Sequence, residues 1–229
     1  MPQLPILLYI FFILTTFITV YLFWRASHYS KTVLYVICIW LTAQAFLAIK
    51  GFYLVTDVMP PRFMLTMAPM LLFIIGMFLS KRGRTFIDSL DLRTLTLLHT
   101  VRIAVELILY WLFLIKAIPL IMTFEGRNID ILAGITAPIM YYLVFIRKSV
   151  GRVGLLVWNI FALASLINIV TIAVLSAPFP IQKLAFEQPN IAVLHFPFNW
   201  LPACIVAIVL FSHLVAIRQL LRRKVNGER

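Results

Sequence analysis

Seven long apolar stretches constrain the fold of this chain more than any other feature. A helix needs about 20 mostly apolar residues to cross a hydrocarbon core that is ~30 Å thick. Stretches of roughly this length predict helices at residues 4–24, 32–49, 63–79, 95–115, 129–146, 153–175 and 201–221. The intervening loops are too short to hold a second folded unit. We therefore expect an all-α, polytopic membrane protein in which residues 1–229 form a single seven-helix transmembrane domain.

Composition and charge agree with a membrane location. The sequence is 63% hydrophobic and 12% charged, whereas soluble domains are roughly 45–50% apolar and about 25% charged. The net charge of +12 is carried by short clusters between the apolar stretches, so the lipid bilayer is the expected partner and nucleic acid is not. Counted on alternate sides of seven helices, fourteen Lys and Arg residues fall on one side and five on the other. The positive-inside rule then predicts an outside N-terminus and a cytoplasmic C-terminus.

The fourth stretch carries the most informative polar pattern. Spaced three or four residues apart, His99, Arg102, Glu106 and Tyr110 share one narrow face of a helix. Arg102 and Glu106 are four residues apart and are expected to neutralise each other. At a similar depth in other helices we expect Gln44, Asn159 and His213, so these seven residues are the candidates for a ligand or proton site.

Two interpretations of this stripe stay open. An ionisable residue inside a span is a functional hypothesis by default, because its exposure to lipid costs a few kcal/mol or more. The stripe equally fits a structural clasp in which Arg102 and Glu106 bind neighbouring helices, with His99 reaching the interface. A lone histidine such as His213 is more often structural than functional.

A second constellation lies in the predicted outer loop before the fifth helix. Gly126 permits a tight turn, Asn128 or Asp130 is expected to cap the helix, and Glu125 is expected to pair with Arg127. Beyond the capped-loop interpretation, these positions are candidates for an external binding rim, which would comprise Glu125, Arg127, Asp130 and His195. Because they lie at the opposite end from His99, we expect this rim to be separate from the polar stripe.

Two segments carry a resemblance to a known group of proteins. Leu98-His-Thr-Val-Arg-Ile-Ala-Val-Glu106 and Phe124-Glu-Gly-Arg-Asn-Ile-Asp-Ile-Leu-Ala-Gly-Ile-Thr-Ala-Pro138 resemble a family of uncharacterised bacterial seven-helix integral membrane proteins of similar length. The resemblance covers most of the chain. It implies a multi-pass protein of the bacterial inner membrane and carries no activity with it.

The sequence lacks the residues that several known membrane-protein chemistries require. The seventh stretch has no lysine before Lys224 for a retinal Schiff base, and Cys38 and Cys204 form no CxxC pair. The four histidines are scattered, and GxSxG, HExxH and phosphate-binding glycine loops are absent, so we expect no metal or other cofactor. The leading hypothesis is small-molecule or proton-linked transport or binding through the polar site of the fourth helix, with Glu106, Arg102 and His99. The alternatives are a membrane-embedded enzyme acting on a lipid-like substrate and a bis-histidine haem protein using His99 and His213. Oligomeric state, substrate and direction of flux are left open.

Overall fold

The chain folds into a helical bundle, as the apolar stretches predict. The computed structural model describes residues 5–225. These residues form helices and no strand, which confirms the all-α prediction. The α-helices are α1 Ile6–Ala26, α2 Lys31–Ile49, α3 Met64–Leu79, α4 Lys81–Ser89, α5 Leu92–Leu98, α6 Val101–Leu114, α7 Asp130–Tyr141, α8 Arg152–Leu175 and α9 Ala207–Val225.

All seven predicted stretches are helical, but not all of them are long enough to count as spans. Five helical segments within residues 5–225 have the length and composition to cross a membrane: α1, α2, Leu92–Leu114, α8 and Leu201–Arg222. A sixth is obtained if α3 and α4 count as one broken span, and Asp130–Ile146 is a shorter apolar helix. At 1.5 Å per residue, the 16 residues of α3 extend ~24 Å, less than a typical hydrocarbon core.

Helix α4 turns away from α3 instead of extending it. The two helices meet at 94°, where the Oγ of Ser80 accepts a hydrogen bond of 3.0 Å from the backbone N–H of Gly83. A Cβ on Gly83 would stand 2.2 Å from the Met77 carbonyl oxygen, so only glycine fits this corner. At its far end, Asp88 forms ion pairs with Arg218 and Arg222 of α9. This basic helix therefore lies across the end of the bundle.

The bundle has a densely packed centre and a looser side. Helix α8 packs on α9, α1 packs on α5 and α6, and α6 packs on α7. The share of buried residues is 61% in Leu201–Arg222 but only 17% in α2. Helices α2 and α3 therefore lie at the periphery, where they border an apolar groove that opens to the side.

Three irregular segments interrupt or flank the α-helices. Residues 99 and 100 separate α5 from α6, and the N–H of Arg102 bonds the His99 carbonyl three residues back instead of four. Short π-helical segments follow α7 at Tyr142–Ile146 and precede α9 at Leu201–Val206. Such breaks occur frequently at functional sites because they redirect side chains. Here the first break lies directly at His99 and Arg102.

Candidate functional site

A buried ion pair between Arg102 and Asp130 is the centre of the polar arrangement. The Nε of Arg102 donates to Asp130 Oδ2 at 2.6 Å, and its Nη2 donates to Asp130 Oδ1. The two side chains are only 3% and 6% exposed. Both charges are thus removed from solvent and paired by a bidentate contact. Such a contact strengthens the ion pair and also fixes the relative orientation of the two side chains.

This pair corrects two of our expectations. Arg102 does not use Glu106 as its ionic partner, although the two are four residues apart on one helix. Asp130 does not belong to a separate external rim, because its side chain turns inward from the first residue of α7 and is buried. The stripe on α6 and the loop before α7 therefore form one site.

A close approach of two helices brings Arg102 and Asp130 together. The buried face of α7 consists of Asp130, Ala133, Gly134 and Ala137. A Cβ added to Gly134 would stand 2.9 Å from the backbone nitrogen of Ile103, so α7 touches the α6 backbone directly at the residue after Arg102. Small residues permit such contact between membrane helices. One turn earlier on α7, Asp130 then reaches the guanidinium group.

Helix α8 completes the shell around the ion pair. The Oγ of Ser165 donates to Asp130 Oδ1 at 2.9 Å, and Nη2 of Arg102 lies 3.0 Å from the same hydroxyl and 3.1 Å from the Ala162 carbonyl oxygen. A buried ion pair is stabilised only if further hydrogen bonds satisfy the donors and acceptors that the two ions do not use on each other. The contacts with Ser165 and Ala162 supply such bonds. Three helices, α6, α7 and α8, are therefore joined at this point.

The contacts of His213 identify which ring nitrogen carries the proton. Nη1 of Arg102 lies 3.0 Å from His213 Nε2, and since arginine only donates hydrogen bonds, Nε2 must accept. The other nitrogen, Nδ1, lies 2.9 Å from Asn159 Oδ1, and the amide nitrogen of Asn159 donates to the Leu155 carbonyl at 2.9 Å. His213 is therefore a neutral imidazole with its proton on Nδ1.

His99 lies face to face with His213. Their ring centroids are 3.8 Å apart with an interplanar angle of 12°, and the edge of Trp158 lies against His99 at 5.6 Å. Although His99 is only 1% exposed, its Nδ1 has no hydrogen-bond partner within the described chain. Because both nitrogens of His213 are bonded, His99 is the imidazole of the two that has a ring nitrogen without a partner in the described chain.

Glu106 is held by Asn128 of the loop before α7. The amide nitrogen of Asn128 lies 2.7 Å from each Glu106 carboxyl oxygen and 3.0 Å from the Met122 carbonyl oxygen. Its Oδ1 accepts the backbone N–H of Asp130 at 2.9 Å, which caps the start of α7. Asn128 thus connects Glu106 to the Arg102–Asp130 pair, and we refer to the whole set as the buried network: His99, Arg102, Glu106, Asn128, Asp130, Asn159, Ser165 and His213.

The loop that carries Asn128 is fixed by tight packing. A Cβ on Gly126 would stand 2.2 Å from the Leu120 carbonyl oxygen, so this turn requires glycine. Asn168 of α8 donates to the Arg127 carbonyl at 3.0 Å. The side chains of Glu125 and Arg127 are exposed and form no ion pair with each other in the described structure. The expected pair across the turn was therefore wrong, and the loop turns Asn128 inward instead.

The remaining candidates lie apart from the network. Gln44 is buried beside Tyr53, whose hydroxyl donates to Gln44 Oε1 at 2.5 Å. The backbone carbonyl of Gln44 accepts a hydrogen bond from the Asn199 side chain. Burial raises the pKa of Tyr53 to about 12. Tyr110 packs on Phe124 with ring centroids 4.9 Å apart. His195 is half-buried in the loop after α8, where burial lowers its pKa.

The geometry also bears on cofactors. In bis-histidine haem ligation the iron lies between the two imidazoles, but His99 and His213 stack in direct contact and both nitrogens of His213 are bonded to protein groups. These residues do not fit a haem. Among the residues that the structure describes, no group of three or more His, Cys, Asp or Glu side chains is arranged to hold a metal ion.

Comparison with known proteins gives one match. Residues 59–221 match the family described as "Domain of unknown function (DUF8737)". This segment contains every residue of the buried network and excludes Gln44. No curated protein and no solved structure matches the chain. Because the match spans well over half of the 229 residues, the chain belongs to the DUF8737 family.

Proposed function

We propose that this protein binds or carries a small polar molecule in a proton-linked manner, and that the buried network is the site. Two unmatched groups support the proposal: the Nδ1 of His99 has no partner, and the carboxyl group of Glu106 takes part in none of the ion pairs of residues 5–225. Every other titratable group of the network is paired.

The charge balance of the network explains why a proton is involved. Arg102 supplies one positive charge and Asp130 one negative charge, so this pair is neutral. An ionised Glu106, only 1% exposed, would leave one uncompensated negative charge in an apolar bundle, which is costly. The neutral network therefore holds one proton, on Glu106 or on His99. A cationic or proton-donating ligand at this site replaces or accompanies that proton.

The finer membrane arrangement is part of the same proposal. We infer a single domain with seven spans, in which α3 and Asp130–Ile146 cross a locally thin bilayer or tilt less than the longer helices. Fourteen basic residues on one side against five on the other support an outside N-terminus and a cytoplasmic C-terminus. The resemblance noted for 98–106 and 124–138 supports location in a bacterial inner membrane.

The alternative of an enzyme acting on lipid is not favoured. The large apolar groove is lined by residues of α1, α2, α3, α4, α9 and the segment Leu201–Val206, and none of these residues is a histidine or carries a carboxylate. An acid or base in contact with a lipid substrate is therefore missing from the place where a lipid chain fits. The network itself lies between α6, α7, α8 and α9.

Proton flux in liposomes tests the proposed function. The full chain is reconstituted with an internal pH-sensitive dye, and an imposed potential drives protons inward. Flux should be present for the parent and abolished by Glu106→Gln, in which the amide oxygen still accepts from Asn128. The matched control is Glu125→Gln, the same change on an exposed carboxylate of the outer loop, which should leave flux unchanged.

A second variant separates function from folding. His99→Phe keeps an aromatic ring against His213 but removes the unpaired nitrogen. We expect this variant to fold as the parent does, by thermal unfolding in detergent, and to lose proton flux. Flux at the parental rate in both Glu106→Gln and His99→Phe would refute the proposal and leave the structural clasp as the role of the network.

A further inference from the structure

An apolar groove on the loose side of the bundle is a second candidate binding place, remote from the buried network. Its volume is about 690 Å³, within the ~300–1,000 Å³ of small-molecule sites. Helices α2 and α3 form its two walls, α9 and the preceding segment Leu201–Val206 form its floor, and Phe86 of α4 lines one end. The wall residues are almost all apolar, so the groove accepts a hydrocarbon chain.

The length of the groove matches one leaflet of a bilayer. It runs from Thr32 to Trp40 on α2 and from Met77 to Pro69 on α3. Each of these segments rises ~12 Å at 1.5 Å per residue, and one leaflet occupies ~15 Å of a 30 Å core. The inner end is closed by Trp40, whose indole N–H donates to the Ala203 carbonyl at 2.9 Å. An acyl chain that enters at the Phe86 end stops near the bilayer midplane.

Two exposed cations, Lys31 and Arg82, lie next to residues that line the Phe86 end of the groove. Lys31 is exposed between Ser30 and Thr32, which both line the groove. Arg82 is exposed one helical turn before Phe86 on the same face of α4. Neither cation belongs to an ion pair in residues 5–225. The imidazole Nε2 of His28 lies 2.9 Å from the Ser89 carbonyl oxygen, which holds the loop before Lys31 against α4.

We propose that this groove binds one acyl chain of an anionic phospholipid, whose phosphate lies between Lys31 and Arg82. The apolar wall supplies affinity for the chain, and the two cations select the charge of the headgroup. Each basic residue near an anionic lipid surface raises the binding constant about five-fold. Two such residues should therefore bind anionic lipid about thirty-fold more tightly than zwitterionic lipid. This site is independent of the proton-linked function proposed above.

Quenching of Trp40 fluorescence tests the assignment. The full chain is reconstituted in phosphatidylcholine vesicles that contain a small fraction of phosphatidylglycerol with brominated acyl chains, or the same fraction of brominated phosphatidylcholine. The Trp40 signal is obtained as the difference from the Trp40→Phe variant. Brominated phosphatidylglycerol should quench at a mole fraction roughly ten- to thirty-fold lower than brominated phosphatidylcholine does. Equal quenching by the two lipids would overturn the proposal.

Two pairs of variants test the positions of the lipid acyl chain and of the lipid headgroup separately. Ala207→Phe fills the groove and should abolish the quenching, whereas Ala164→Phe, the same change on a lipid-facing position of α8, should not. Lys31→Gln with Arg82→Gln should remove the preference for phosphatidylglycerol, whereas Lys50→Gln with Lys116→Gln, exposed cations elsewhere, should keep it. The proposal that a lipid occupies the groove would be refuted if quenching were unchanged in Ala207→Phe. It would also be refuted if groove residues cross-linked to a second copy of the protein.

Discussion

Loss of one member of the Arg102–Asp130 pair should destabilise the protein far more than loss of both. The side chains are 3% and 6% exposed and share a bidentate contact, so Asp130→Ala leaves a guanidinium group buried without a counter-ion. Breaking a buried pair in this way costs about 3–5 kcal/mol. Arg102→Leu should cost a comparable amount, because it leaves the Asp130 carboxylate with only the Ser165 hydroxyl as a hydrogen-bond partner within the described chain.

The double variant is expected to recover most of that loss. With both charges removed, no unpaired ion remains in the bundle, and replacement of a buried ion pair by apolar groups is often nearly neutral. The interaction energy from the double-mutant cycle should therefore approach the cost of either single change, about 3 kcal/mol or more. Reversible unfolding of the detergent-solubilised protein provides the four free energies of unfolding.

A second cycle on Arg102 and Glu106 is the matched control. These residues occupy the helical spacing that favours an ion pair, but Glu106 is bound by Asn128. Their interaction energy should be clearly smaller than that of Arg102 with Asp130. If the two cycles gave equal values, or if the Arg102→Leu, Asp130→Ala double variant were as unstable as the sum of the single variants, the assignment of Asp130 as the partner of Arg102 would be wrong.

Three further substitutions test other parts of the fold. Gly134→Ala should cost about 1–3 kcal/mol in thermal unfolding, since its Cβ would stand 2.9 Å from the α6 backbone, whereas Gly76→Ala, with nothing within 4 Å, should cost nothing. Asp91→Ala should cost about 0.5–2 kcal/mol at pH 7, because Asp91 caps α5 through the N–H groups of Arg93 and Thr94. Burial alone would raise the pKa of Asp91, but the hydrogen bonds from Thr94 outweigh burial and lower this pKa below 3.8. The contribution of Asp91 to the free energy of unfolding is therefore present above pH ~4 and should be lost as the pH falls further. Asp88→Asn should cost under about 1 kcal/mol, because its arginine partners are partly exposed, and its effect should fall with added salt.

Hydropathy predicts the helices of this fold well and their ends less well. The predicted limits 129–146 and 153–175 fall within a residue of the observed Asp130–Ile146 and Arg152–Leu175. The break at residues 99 and 100 was not predicted, because His99 and Thr100 do not interrupt an apolar helix by their composition alone. The sequence predicted seven spans, whereas five or six helical segments of residues 5–225 have the length of a span, because α3 ends after 16 residues and α4 turns by 94°.

The candidate site was predicted in part. Helical spacing placed His99, Arg102 and Glu106 on one face, and depth placed Asn159 and His213 near them; the structure brings all five together. Asp130 was assigned to a separate external rim because its turn was expected at the opposite end from His99, whereas its side chain points into the bundle from the first residue of the short helix α7. A signal was present in the sequence: the small residues Ala133, Gly134 and Ala137 follow Asp130 at helical spacing and indicate a close helix contact.

Under the proposed function, the network divides into a clasp and a proton-binding part. A clasp needs only complementary groups, and Arg102, Asp130, Ser165 and the Ala162 carbonyl already satisfy one another. Glu106 and His99 add a carboxyl group without a cation and an imidazole nitrogen without a partner, and both increase the cost of burial. A clasp accounts for the contact of Glu106 with Asn128, but it gives no role to a carboxyl charge or to the free nitrogen of His99. Their place beside a satisfied ion pair is explained if a proton or a ligand moves between them while Arg102 and Asp130 hold the helices in position.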